Sequence, residues 1–119
     1  MRALILFGHG SRDVRWAEPM RRVQTLIEAS ENPPLIVLAF LEFMAPDMPA
    51  ALADLVAKGA TSIQVAPMFL GQGGHLRRDL SALIDRARKT HPNVVIDVLP
   101  ALGEAEPILR AIADWARGA

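Results

Sequence analysis

The sequence contains no cysteine, which excludes disulfide bonds, thiolate metal ligands and a cysteine nucleophile. It has no excess of charge either, because 13 basic side chains balance 13 acidic ones. Nothing in its charge therefore favours nucleic acid or an anionic membrane surface as a partner. The apolar stretch 3–7 is too short for a signal-peptide core, and no run approaches the roughly 20 residues of a membrane span. These absences predict a cytoplasmic protein.

The apolar content is sufficient for one buried core. The 119 residues are 51% hydrophobic, which suits a single domain over residues 1–119. Four apolar runs recur, mostly without polar alternation, and this pattern is typical of strands covered on both faces. The predicted strands lie at residues 3–7, 35–40, 62–69 and 94–99.

Segments with helical spacing follow each predicted strand. Asp47 is a candidate N-cap for the second helix, and Gly59 is a candidate C-terminal stop. Strand and helix alternate four times, so we expect a three-layer α/β domain with a four-stranded parallel sheet and helices on both faces. The helices are predicted within 16–27, 47–59, 75–90 and 104–118, the last with an apolar stripe of Ile108, Leu109, Ile112 and Trp115.

Side chains that can bind a metal or accept a proton follow three of the four predicted strands. His9 follows the first in Gly-His-Gly-Ser-Arg, Glu42 follows the second, and His75 follows the third in a glycine-rich loop. Ligands of open parallel sheets bind beyond the carboxyl ends of the strands. We therefore predict that His9, Glu42 and His75 share one cleft at this edge of the sheet.

The residue types of this set favour a metal site. An isolated His9 would be interpreted as a histidine at the edge of the core, but two histidines at one edge favour a functional role. Two imidazoles and a carboxylate are suitable ligands for Co, Fe, Ni or Zn, although spacing alone leaves their convergence open. His75 is predicted at a helix start, where the helix dipole favours a neutral, coordinating ring. The third histidine, His91, is interpreted as an exposed residue of a helix C-terminal turn.

The glycine-rich stretches lack complete nucleotide motifs. Neither the dinucleotide fingerprint nor the Lys-Ser/Thr ending of a phosphate loop is present, so no nucleotide cofactor is expected. Ser11 is expected to cap the first helix or to bind an anion. Arg12 is either a solvated charge or a group that holds substrate carboxylates, and for Arg78 the solvated interpretation is favoured.

Three motifs in order resemble the short CbiX-type sirohydrochlorin chelatases. They are HGSR after the first strand, FLE after the second, and P-x-FL-x-x-GGH-x-x-x-D after the third. The downstream HP-x-V-x-I and P-x-LG agree too, so the resemblance spans nearly the whole chain. The departure is the FLGQGGH loop, which is unusually rich in glycine.

The resemblance implies a class II chelatase that inserts a divalent metal into sirohydrochlorin without ATP, in cobalamin or sirohaem biosynthesis. Cobalt is favoured as the metal substrate, with Fe²⁺ or Ni²⁺ open. His9 and His75 match the family's metal-binding histidines and Glu42 its acidic residue, while Ser11 and Arg12 are assigned to the tetrapyrrole. Longer relatives carry two such halves, so the resemblance implies a homodimer whose strand-end clefts face one another.

Two other functions remain open at this point. A metal or tetrapyrrole carrier would use the same residues without turnover, although Glu42 favours the enzyme because a carrier needs no proton acceptor. A phosphoryl-transfer enzyme with His9 as nucleophile would need several arginines near that histidine, and only Arg12 is close in sequence. The carrier is the stronger of these two alternatives.

Overall fold

The computed structural model describes residues 1–118; Ala119, the last residue of the predicted domain, lies outside the described residues. The elements follow one another as β1 Arg2–Gly8, a 3₁₀ turn Val14–Ala17, α1 Glu18–Glu28, β2 Leu35–Phe40, α2 Met48–Ala57, β3 Ser62–Pro67, α3 Gly74–Thr90, β4 Val95–Val98, a 3₁₀ turn Leu102–Glu104 and α4 Glu106–Arg117. No helix within 1–118 is long and apolar enough to cross a membrane.

The four strands form one parallel sheet in the order β2-β1-β3-β4, which confirms the predicted architecture. In the register, Gly8 at the end of β1 pairs with Phe40 at the end of β2, and Phe7 pairs with Pro67 of β3. The carboxyl ends of β1, β2 and β3 therefore lie level with one another. Whatever follows them in sequence begins at the same edge of the sheet.

The sheet has a buried cluster on each face. Alternate residues of β1 point to opposite faces: Ile5 and Phe7 pack under α2 and α3, whereas Leu6 packs with Met20 of α1. Asp47 caps α2 as predicted, because its carboxylate accepts a hydrogen bond of 3.0 Å from the Ala50 N–H. Both layers of helix over the sheet thus come from the apolar stripes seen in the sequence.

The fourth helix departs from the expected packing. Although α4 carries the apolar stripe, none of its residues is buried, and Trp115 is 81% exposed. Its contacts within the chain are chiefly with the 3₁₀ turn that precedes it. The spacing predicted the helix correctly, but the helix does not pack on the sheet of its own chain. On the face of the sheet that α1 covers, the part formed by β3 and β4 has no helix over it within residues 1–118.

Candidate metal and tetrapyrrole site

Backbone hydrogen bonds continue the pairing of β1 with β2 beyond the strand ends. The Leu41 N–H donates to the Gly8 carbonyl at 2.9 Å, and the Glu42 N–H donates to the His9 carbonyl at 3.0 Å. The two loops therefore leave the sheet side by side. This pairing is why His9 and Glu42, 33 residues apart in sequence, emerge next to each other.

The side chains of His9 and Glu42 form a close pair. His9 Nε2 lies 3.6 Å from Glu42 Oε1, and each side chain is about half exposed, at 49% and 48%. The other ring nitrogen, Nδ1, lies 3.5 Å from the Gly10 carbonyl. A half-exposed imidazole beside a carboxylate presents one nitrogen and one oxygen donor to a divalent cation and two groups that accept protons.

Gly10 allows the two loops to approach this closely. A Cβ atom at this position would lie 1.8 Å from the Glu42 carbonyl oxygen, and the φ angle of Gly10 is +95°. Side chains rarely adopt this φ. The second glycine of Gly-His-Gly is therefore required by the close approach of the Glu42 backbone.

His75 lies at the same edge of the sheet but is not part of the His9–Glu42 pair. It is the second residue of α3, as the sequence predicted, and it is exposed. No group of three His, Cys, Asp or Glu side chains in residues 1–118 is arranged to hold a metal ion. The structure therefore brings two of the three predicted ligands together and leaves His75 apart from them, at the start of α3.

The loop that carries His75 is held by the turn before α4. The Gly103 N–H donates to the Phe69 carbonyl at 3.1 Å. Arg77 Nη2 lies 2.6 Å from Glu104 Oε1, and Gln72 Nε2 donates to the same oxygen at 3.3 Å. Glu104 therefore ties the end of β4 to the start of α3, a role that the sequence did not indicate, and Arg77 is occupied by this ion pair.

Ser11 caps a turn instead of α1 itself. Its hydroxyl oxygen accepts a hydrogen bond from the Asp13 N–H at 3.1 Å, and Asp13 in turn caps the 3₁₀ turn through the Arg15 N–H at 2.9 Å. The guanidinium of Arg15, hydrogen-bonded to the Asp13 carboxylate, lowers the pKa of Asp13, and the carboxylate raises the pKa of Arg15. The prediction that Ser11 caps the first helix is therefore wrong: Asp13 caps the 3₁₀ turn, and α1 begins after Ala17 without a side-chain cap.

Arg12 lies over an aromatic ring. Its guanidinium carbon is 4.9 Å from the centre of the Phe43 ring, within the range of a cation–π contact. Phe43 has a φ of +67°, which the sequence did not indicate because glycine and asparagine are the usual residues in that conformation. Arg78 Nε donates to the Gly74 carbonyl at the exposed start of α3.

The candidate site around His9 and Glu42 is an open surface at the edge of the sheet. Two adjoining hollows of about 360 and 270 Å³ lie elsewhere, between α2 and α3, and are lined by residues such as Leu83 and Arg86. His91 borders the larger one, so it is half-buried instead of exposed as predicted. Neither hollow contains His9, Glu42 or His75. A flat ligand at this edge would be covered by this chain on one side only.

The chain is similar to known proteins over nearly its whole length. The CbiX family pattern matches residues 3–119. The sirohydrochlorin cobaltochelatase of Methanocaldococcus jannaschii is 32% identical over 91 residues, which are 76% of this chain and 64% of that protein. That of Methanococcus aeolicus is 32% identical over 84 residues, 71% of this chain and 59% of that protein. The chain thus spans roughly three fifths of the length of these curated relatives.

Solved structures that are similar to this chain come from the same group of proteins as the relatives found by sequence. A CbiX protein from Marinobacter aquaeolei superposes with a TM-score of 0.83 at 29% identity, covering 99% of this chain and 96% of that one. The sirohydrochlorin chelatase SirB from Bacillus subtilis subspecies spizizenii, solved with cobalt, gives 0.80 at 26% identity, covering 98% of this chain and 50% of that one. This chain matches one half of the longer protein.

The fold and the site define a class of protein: a parallel α/β domain with a histidine–carboxylate pair at the carboxyl edge of its sheet. Within that class, the chain belongs to the CbiX family.

Proposed function

We propose that this chain inserts a divalent metal, with cobalt favoured, into sirohydrochlorin without ATP. The observation that carries this proposal is the 3.6 Å pairing of His9 with Glu42 at the open edge of the sheet. The curated relatives named as sirohydrochlorin cobaltochelatases support the substrate and the metal. Fe²⁺ and Ni²⁺ remain alternative metals because divalent affinities at N/O sites follow a fixed order, so availability and geometry decide.

The pair supplies the groups that the reaction needs. Insertion replaces two pyrrole N–H protons with one M²⁺ ion, so two protons must leave while the metal exchanges water for four ring nitrogens. An imidazole and a carboxylate hold the incoming metal and accept the departing protons near neutral pH. His75, the second residue of α3 at the same edge of the sheet, is the third proposed ligand.

The rim of the site carries the proposed tetrapyrrole contacts. Arg12 is exposed, and it is assigned to a carboxylate of the substrate. Ser11 is assigned to the same ligand through its hydroxyl group, which has a free donor because its oxygen only accepts from Asp13. No nucleotide takes part, and the proposed location is the cytoplasm.

An absorbance assay distinguishes the enzyme from a carrier. Metal-free sirohydrochlorin and Co²⁺ are mixed with the chain at a hundredth of the tetrapyrrole concentration, and the spectrum of the metallated product is followed over time. An enzyme metallates the whole pool faster than the protein-free control. Product equal only to the amount of protein would identify a carrier and contradict the proposal.

Glu42→Gln should slow insertion more than it weakens metal binding. The amide keeps an oxygen donor but no longer accepts a proton at neutral pH, so we expect about a 100-fold loss of turnover, the usual scale of general-base catalysis, with a smaller rise in the Co²⁺ Kd. Glu28→Gln, at the far end of α1, is the matched control. Equal losses in turnover and Co²⁺ affinity would assign Glu42 to metal binding alone.

We propose further that the active form is a homodimer. A tetrapyrrole is wide compared with the spacing of about 4.8 Å between neighbouring strands. The open site of one chain would therefore cover only one side of it. Two surfaces of each copy have no helix packed over them within residues 1–118: the apolar stripe of α4, and the open half-sheet, defined by Gln64, Ala66, Val95 and Asp97 on the α1 side of β3 and β4. We place α4 of each copy over the open half-sheet of the other.

Three observations support this arrangement. A 12-residue helix is marginal alone in water and needs a packing partner. The turn before α4 is tied to the His75 loop through Glu104 and Gly103, so a partner seated on α4 lies beside the site. SirB, which this chain half covers, has room in one polypeptide for a second such unit. Closed two-fold pairing is the commonest association of identical chains.

Ile112→Asp should convert the dimer into a monomer. Each of the two symmetric contacts loses a buried isoleucine, worth about 1.5 kcal/mol or more, so the dimer Kd should rise about a hundredfold. Arg110→Asp introduces the same side chain on the opposite face of α4 and should leave the dimer intact. Light scattering over a concentration series measures both. A wild-type chain that is monomeric and fully active at assay concentration would defeat the proposal.

A further inference from the structure

Arg12 and Phe43 lie next to the metal-binding pair on the same two loops. Arg12 is three residues after His9, and Phe43 directly follows Glu42. The guanidinium carbon stands 4.9 Å from the ring centre, and among residues 1–118 Arg12 forms no salt bridge. No hydrogen bond engages the Arg12 side chain within residues 1–118, so its N–H groups are free to donate to a ligand.

Phe43 has an unfavourable backbone conformation, and its apolar side chain is exposed to solvent. Its φ of +67° lies in the left-handed region, where a bulky residue is a true outlier. The residue is nevertheless 55% exposed, so burial in the core does not explain the conformation. The loop around it is closed by the Phe40 N–H donating to the Pro46 carbonyl at 2.9 Å. The loop therefore displays an aromatic face beside a cation.

We propose that Arg12 and Phe43 act as one recognition element, in which the exposed face of the Phe43 ring contacts the macrocycle while the Arg12 guanidinium holds one of its peripheral carboxylates. This inference rests on the proposed function, and it adds Phe43 as a residue that determines substrate specificity. The cation–π contact pre-orients a long, flexible arginine, which lowers the entropy lost on binding. The element selects tetrapyrroles with an acidic edge over those with neutral edges.

Phe43→Asn separates recognition from folding. Asparagine tolerates the left-handed conformation, so the melting temperature should stay the same or rise, whereas the ring is lost. We expect the Kd for metal-free sirohydrochlorin, measured by absorbance titration, to rise about tenfold or more, since buried aromatic contacts dominate such interfaces. The Kd for Co²⁺ alone, measured by calorimetry, should change by less than about twofold because the His9–Glu42 pair is untouched.

Further variants test whether the two residues act together. Phe43→Tyr keeps the ring and should bind as the wild type does. Arg12→Ala should also weaken binding about tenfold and flatten its salt dependence, and the double variant Arg12→Ala/Phe43→Asn should lose less than the product of the single losses, because the side chains contact each other. Leu26→Asn, equally exposed at 55% on α1, is the control and should bind normally.

The outcomes separate this inference from the proposed function. Normal sirohydrochlorin binding by Phe43→Asn and Arg12→Ala, in a wild type that binds and metallates it, would overturn the inference alone. Losses that multiply in the double variant would overturn the joint element. Failure of the wild-type chain to bind sirohydrochlorin would overturn the proposed function and this inference with it.

Discussion

His9→Ala should reduce metal insertion to the uncatalysed background, a loss of about 100-fold or more. The variant removes a metal donor and a proton acceptor from a pair whose members are 3.6 Å apart. The fold should survive, because the side chain is half exposed and belongs to a loop. His75→Ala should have the same effect if its loop brings the third ligand to the metal. Initial rates and far-ultraviolet circular dichroism, measured on the same samples, check both statements.

His91→Ala provides the matched control for these two variants. His91 ends α3, and it contributes its backbone N–H to the Ala87 carbonyl, a bond that alanine also makes. Its side chain borders the groove between α2 and α3, away from His9 and Glu42. Insertion should therefore continue at close to the wild-type rate. Wild-type activity in His9→Ala would remove this histidine from the mechanism, and wild-type activity in His75→Ala would restrict the metal site to the pair.

Strands β1 and β2 were predictable because they are buried on both faces. A strand such as Leu35–Phe40 is covered by α1 on one side and α2 on the other, so it reads as an apolar run without alternation. The order of strands and helices then left few topologies. The same reasoning predicted the edge of the sheet at which ligands bind. It also predicted that His9, Glu42 and His75 each follow the carboxyl end of a strand.

The packing of α4 and the conformation of Phe43 were beyond this reasoning. Helical spacing shows that Ile108 and Ile112 share one face, but it does not say which surface covers that face, and here none in residues 1–118 does. A left-handed φ at Phe43 is set by the loop between β2 and α2 as a whole. The separation of His75 from the pair is likewise a property of loop geometry, which strand spacing does not determine.

Gly10→Ala should destabilise the fold and disable the site together. The new Cβ would lie 1.8 Å from the Glu42 carbonyl oxygen, a backbone atom that cannot rotate away, and the φ of +95° adds strain. We expect a loss of about 3 kcal/mol or more in the free energy of unfolding, in the range of severe single substitutions. For a domain of this size, the melting temperature would fall by about 10 °C or more.

The effect on activity should exceed the effect on folding. To accommodate the methyl group, the β1 loop must move away from Glu42, which separates the two side chains that hold the metal. Insertion measured at a temperature where Gly10→Ala is still folded should therefore be much slower than in the wild type, with weaker Co²⁺ binding. Gly71→Ala is the control, since its Cβ would meet nothing within 4 Å. A Gly10→Ala chain with wild-type melting temperature and wild-type insertion would show that the close approach of the two loops is not needed for the site.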